Sequence, residues 1–206
     1  MSFLSSTSVS VNASPIPSIV RKEDAVALLH DHEFFLLCDP HYQSHKTLPQ
    51  PPETEGEPAS VDAARRHFKL PETLEPLVPG GGGGAKEPVV KLYEVVDHMP
   101  NPVWSSNVVS REEFVDHDEG MWVRIRSPMG VVMETRWSVR QAAAGAGLEL
   151  VEDVLINCSR LVIGIVKGQV ENNWRGIHKQ IIDKLVKDAE AAGRTAAPAP
   201  APAADE

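Results

Sequence analysis

Apolar residues recur along this chain with a period of two through most of its length and with a helical period near its end. Phe3, Ser5, Thr7, Val9 and Val11 alternate with serines, which predicts a first strand. In "PIPSIVRKEDAVALLHDH", Ile19, Val26 and Leu29 mark a short amphipathic helix, and Pro15 and Pro17 block an earlier start. "FFLLC" is a compact apolar segment closed by Asp39-Pro40, and "HYQSHKTL" reads as a second strand. "VVKLYEVVD" resumes the strand pattern. "MWVRIR" sets Met121, Val123 and Ile125 against Trp122, Arg124 and Arg126, and "SPMG" at 127–130 suits a type I turn. Beyond it Val131, Met133, Thr135, Trp137 and Val139 share a face opposite Glu134, Arg136 and Arg140, as in antiparallel strands with one apolar and one wet face. "LELVEDVLINCSRLVIGIV" reads as one long final strand, long enough to require a bend. Last, Val170, Trp174, Ile177, Ile181 and Leu185 recur at intervals of four or three, with Lys179, Asp183, Lys184 and Lys187 turned away. That is a helix of about 25 residues, from near Lys167 to Ala192.

Two stretches break the pattern. Residues 49–88 contain "PQPPETEGEP" and "PLVPGGGGGAKEP", whose composition predicts a mostly disordered insertion. Within it, "SVDAARRHFKL" places Val61, Ala64 and Phe68 at helical spacing behind Ser60 as an N-cap, a short helix expected to dock weakly. The Pro/Ala run of 193–206 reads as a tail without packing partners. The expected organisation is one domain over 1–192, interrupted at 49–88. Its class is α+β: a curved antiparallel sheet of about six to seven strands wrapped around the long C-terminal helix, with two short helices after the first strand. A sheet with one apolar face needs a cover, and only that helix is large enough.

This order resembles the helix-grip arrangement of the START-like (SRPBCC) superfamily. The strings "LLHDHEFF…DP", "SPMGVVMETRWSV", "EDVLINCSRLVIGIVK" and "HKQIIDKLV" together resemble a fungal family of unknown function within it, over about residues 5–48 and 89–190. The resemblance implies a cavity between sheet and long helix of the kind that holds a sterol, lipid or aromatic ligand. None of these strings is a catalytic signature.

Composition narrows the function classes. The 206 residues carry a net charge of -9, which argues against a nucleic-acid binder and against docking on an anionic membrane. The two cysteines, Cys38 and Cys158, form no disulfide framework. The opening "MSFLSSTSVSVNASP" lacks the basic and apolar regions of a secretory signal, and no run approaches the ~20 apolar residues of a membrane span. A cytoplasmic location is the expectation.

The stretch "LLHDHEFFLLCDPH" gathers His30, Asp31, His32, Cys38, Asp39 and His41, all metal-ligating types. Two residues apart on a helix, His30 and His32 point to different sides, and no second ligand pair at zinc spacing supports them, so no metal is expected. "GGGGGAKE" fails as a phosphate loop at Ala85 and Glu87, and no cofactor is expected. The acidic run Glu112, Glu113, Asp116, Asp118 and Glu119 reads as a solvated hairpin.

The apolar sheet face opposite an apolar helix stripe, together with the resemblance, points to a non-catalytic binder or carrier of a hydrophobic small molecule. Val123, Ile125, Met133, Thr135, Trp137, Val154, Ile156, Trp174, Ile177 and Ile181 are expected to line its cavity, with His178 as a polar handle. Two alternatives stay open. One is a polyketide cyclase or dehydratase-like enzyme with His178 as acid or base. The other is a protein-interaction module acting through 49–88.

Overall fold

The computed structural model describes residues 5–55, 57, 59–78, 87–99, 106–143, 145 and 147–194. Phe3, the glycine run from Gly80 and most of the Pro/Ala tail lie outside them. The element order is β1 (Ser5–Ile16), α1 (Lys22–Leu29), α2 (His32–Leu37), β2 (Tyr42–Thr47), α3 (Pro52–Glu55), α4 (Val61–Phe68), β3 (Lys91–Met99), β4 (Ser106–His117), β5 (Gly120–Ser127), β6 (Val131–Gln141), β7 (Leu148–Ser159) and α5 (Ile163–Ala191). The strands form one antiparallel sheet in the order β1-β7-β6-β5-β4-β3-β2. The expected fold class is therefore the one observed: the sheet curves around α5, and α1 and α2 follow the first strand.

Local chemistry explains several boundaries. Asp31 caps α2 by accepting a hydrogen bond from the Phe34 amide at 3.1 Å. The β4–β5 turn requires Gly120, because a Cβ there would lie 2.3 Å from the Trp137 carbonyl oxygen. The "SPMG" turn forms a single 3-10 turn over Pro128–Gly130, but Met129 adopts φ 62, ψ 21 rather than the bridge conformation of a type I turn. The last strand ends sooner than its β-branched run suggests. β7 stops at Ser159, a turn places the Val162 amide on the Ser159 carbonyl at 3.0 Å, and "VIGIV" becomes the start of α5. Val162, Val166 and Val170 then repeat at helical spacing and pack on Val154, Ile156 and Cys158 of β7. Tertiary contact of that stripe overrides the strand propensity of Val and Ile.

The outer, convex face of the sheet is covered over β3 to β5, which corrects the expectation of a wet face there, while on β6 Glu134 and Arg136 are half-buried and Arg140 is exposed. On the concave face, Phe114, Met121, Val123 and Trp137 pack with Leu29 and Leu36 of the short helices and with Ile181, Leu185 and Ala189 of α5. On the convex face, Leu92, Val115 and Trp122 pack with Ala64, Phe68, Leu70 and Leu74. The segment expected to be mostly disordered thus supplies a second core. Ser60 caps α4 as predicted, its Oγ accepting from the Ala63 amide at 3.2 Å. Sparse apolar content misled the composition argument, because Ala64, Phe68, Leu70 and Leu74 all fall on the side that meets the sheet. Arg124 fastens the joint. Its guanidinium donates to the Phe68 and Lys69 carbonyls (2.6 and 3.0 Å), to Glu113 (3.1 Å) and to Glu134 (2.8 Å), and lies over the Trp122 ring. Glu113 also accepts from Arg126. The acidic run expected to be solvated accordingly contains two buried glutamates, Glu112 and Glu113, on opposite faces.

Candidate functional site: a cavity beneath the long helix

The two halves of α5 sit differently on the sheet. Its buried positions are His178, Ile181, Leu185 and Ala189, all in the C-terminal half. In the N-terminal half, Val166, Val170, Trp174 and Ile177 are only half-buried. Where the helix stands off the sheet there is a cavity of about 640 Å³. Its floor is Val95 of β3, Val123 and Ile125 of β5, and Met133, Thr135 and Trp137 of β6. Its roof is Val162, Ile165, Val166, Val170, Trp174 and Ile177, and Phe35 and Leu36 of α2 close one side.

Seven of the residues expected at the site line this space: Val123, Ile125, Met133, Thr135, Trp137, Trp174 and Ile177. Val154, Ile156, His178 and Ile181 do not. Val154 and Ile156 lie on the same face of β7 but are sealed beneath the first turns of α5. Ile181 belongs to the filled core. His178 Nδ1 is hydrogen-bonded to the Ser14 hydroxyl of β1 at 2.9 Å, and its ring lies between Trp137 and Trp174. Its Nε2 is buried without a hydrogen-bond partner among the described residues, and burial pulls its pKa down to about 4, so the ring is neutral near pH 7. A 3.6-residue period identifies the buried stripe of a helix but not how far each turn stands from the sheet, so His178 could not be told from a cavity residue.

The titratable members of the cavity were missed. Asp39, His41, Asp97, Glu112 and Glu152 all line it. Glu112 sits on β4 opposite Tyr93 and Ile125, and its Oε1 accepts from the Ser110 hydroxyl at 2.9 Å. Burial, with Asp97 and Asp39 nearby, pushes its carboxyl up to about 8. Burial, then Asp39, raises Asp97 to about 6. Glu152, opposite Trp137 on β7, accepts from the Asn12 side-chain amide at 2.9 Å, and burial raises it to about 7. The available signal was parity: Glu112 and Phe114 fall on one face of β4, Glu113 and Val115 on the other. Five acidic residues in eight positions concealed it.

The histidines of "LLHDHEFF" are engaged separately. His30 Nε2 lies 2.8 Å from the Gly120 carbonyl and 3.1 Å from that of His117. His32 is buried, with Nε2 2.8 Å from Asp116 and Nδ1 3.3 Å from the Tyr93 hydroxyl. These contacts dock α1 and α2 on the sheet. Burial pushes the Cys38 thiol up to about 12, which leaves it protonated and unreactive at neutral pH.

Among solved structures, two di-domain aromatase/cyclases share the fold. StfQ, from the steffimycin biosynthetic pathway, is 10% identical with a TM-score of 0.52, over 88% of this chain and 52% of its own. BexL, from the BE-7585A biosynthetic pathway, is 9% identical with a TM-score of 0.54, over 86% of this chain and 49% of its own. The chain spans about half the length of each. No curated protein matches. Among the described residues no helix is long and apolar enough to cross a membrane. A family model matches residues 5–188, and the chain belongs to that family, the domain of unknown function DUF7053.

Proposed function

We propose that this protein binds a hydrophobic small molecule, of lipid, sterol or polyketide-like character, beneath α5 as a non-catalytic binder or carrier. The observation that carries the reading is the cavity itself. Its 640 Å³ lies within the ~300–1,000 Å³ range of ligand pockets, and aromatic, aliphatic and Met side chains make up most of its walls. Both cysteines are free thiols, which fits the cytoplasmic setting expected from the sequence. The enzymatic alternative built on His178 is not supported by where that ring sits, because it does not line the cavity. The likeness to aromatase/cyclases extends to the fold. The interaction-module alternative loses the free face of α4, whose apolar side is spent on the sheet.

The neutral dye Nile red tests the reading. It should bind the full chain with a blue-shifted emission and be displaced by neutral amphiphiles, and native mass spectrometry of protein from its own source should show a co-purifying apolar molecule. Ile125→Trp, which fills the floor of the cavity, should weaken the dye by about ten-fold or more. Absence of dye binding together with absence of any co-purifying molecule would overturn it.

A further inference from the structure

Apart from Glu152, which is held by the Asn12 side chain, the acidic residues of the cavity gather at the end formed by the α2–β2 connection and the outer half of β3. There Asp39, Asp97 and Glu112 face the same space. Asp97 shares a strand face with Val95 and Tyr93, and Tyr93 pairs with Glu112, so the two acids project from adjacent strands into one chamber. None of the three has an ion-pair partner among the described residues. Among the described residues the lining includes no lysine and no arginine, and its one basic side chain is His41.

Glu112 makes the cluster more than a surface accumulation of acids. Its side chain is buried, with the residue 5% exposed, and it lines the cavity. One carboxyl oxygen is held by Ser110, while Oε2 has no hydrogen-bond partner among the described residues. Burial penalises the charged form of the Glu112 carboxyl, and a second and third acid beside it add repulsion. An occupant that places a positive, hydrogen-donating group among the three removes both penalties. One carrying a carboxylate or phosphate would add to them.

We propose that the ligand is an amphiphilic amine: an apolar chain or ring system beneath α5, with a protonated nitrogen held by Asp39, Asp97 and Glu112. This inference rests on the reading that the cavity binds an apolar molecule, and it names the head group. The upward displacement of the Glu112 and Asp97 carboxyls supports it: burial and the neighbouring acids outweigh the attraction of His41 for Asp97, and an ammonium group would supply the charge that offsets them.

Competition against Nile red on the full chain at neutral pH, with dodecylamine, dodecanol and dodecanoate below their micellar concentrations, separates the two claims. The expected result is that the amine displaces the dye at a concentration about ten-fold or more below the alcohol, with dodecanoate the weakest. Glu112→Gln and Asp97→Asn, each of nearly unchanged shape, should each reduce the amine-over-alcohol preference several-fold. Equal affinities for amine and alcohol, tighter binding of dodecanoate, or an undiminished preference in both variants would overturn the amine assignment and leave the cavity reading standing. If none of the three competes and the dye itself does not bind, the cavity reading fails, and the amine assignment with it.

Discussion

His178 on α5 and Ser14 on β1, 164 positions apart in sequence, are hydrogen-bonded through Nδ1 and Oγ at 2.9 Å. This contact fastens the long helix to the edge of the sheet at the level where the filled core ends and the cavity begins. It makes His178 a hinge-line residue of the packing, with its ring against Trp137 and Trp174.

Ser14→Ala would leave the buried His178 without its partner for Nδ1 while Nε2 already has none. The expected cost is about 1–3 kcal/mol in denaturant unfolding, with Nile red affinity within about two-fold of the parent. A large loss of dye affinity at unchanged stability would show that the pair serves the cavity instead.

Stability should fall as pH rises from neutral to mildly alkaline. The Glu112 carboxyl moves from 4.5 to about 8 on folding and that of Glu152 from 4.5 to about 7. Between the unfolded and folded values the native state holds the extra proton, so the stability present below pH 4.5 is lost progressively as pH increases through these values. His178 acts in the opposite sense, because its folded value of about 4 lies below the ordinary 6.5. Its contribution is present above 6.5 and lost as pH falls through 4. Above pH 6.5 the glutamates act without that opposition. The melting temperature should therefore drop between pH 6.5 and 8, and Glu112→Gln should flatten most of that slope. An unchanged slope in the variant would assign the effect elsewhere.

The segment after β2 should be needed for stability. Phe68→Ala and Leu74→Ala each open the convex core beside Trp122 and Leu92, at an expected cost of about 2–5 kcal/mol. Arg124→Ala should cost about 3 kcal/mol, since it leaves the buried Glu113 with Arg126 alone and frees the end of α4 from the sheet. Costs below 1 kcal/mol in chemical denaturation would show that this segment is only loosely attached.

Gly168 and Gly176 of α5 face open space, with nothing within 4 Å of where a Cβ would sit. Replacing either by Ala should stabilise the protein by about 0.5–1 kcal/mol through helix propensity, measured by thermal or denaturant unfolding. A destabilising result would mean that this half of the helix must deform or that the site is covered.

Much of the architecture is legible in the sequence. Alternation in "MWVRIR" and "VVMETRWSV" set strand direction and face, because neighbouring side chains of a strand must point to opposite sides. The stripe through Trp174, Ile177, Ile181 and Leu185 identified α5, and Ser60 identified the start of α4. The start of α5 was not legible, since "LVIGIV" has strand propensity and becomes helical by packing on Val154 and Ile156. Nor was the convex core, because Phe68, Leu70 and Leu74 gain their burial from a sheet assembled mostly from residues after them.

The sequence by itself determined which residues could face inward, through two periods that follow from backbone geometry alone. It could not determine what inward meant at each level. Ile181 and Trp174 lie on one helical stripe, yet one fills the core and the other roofs a cavity. Glu112, within an acidic run, became a buried acid facing an apolar chamber. That outcome depends on how far α5 stands from a curved sheet, a distance set by the bulk of side chains brought together from every strand, and only the tertiary structure decided it.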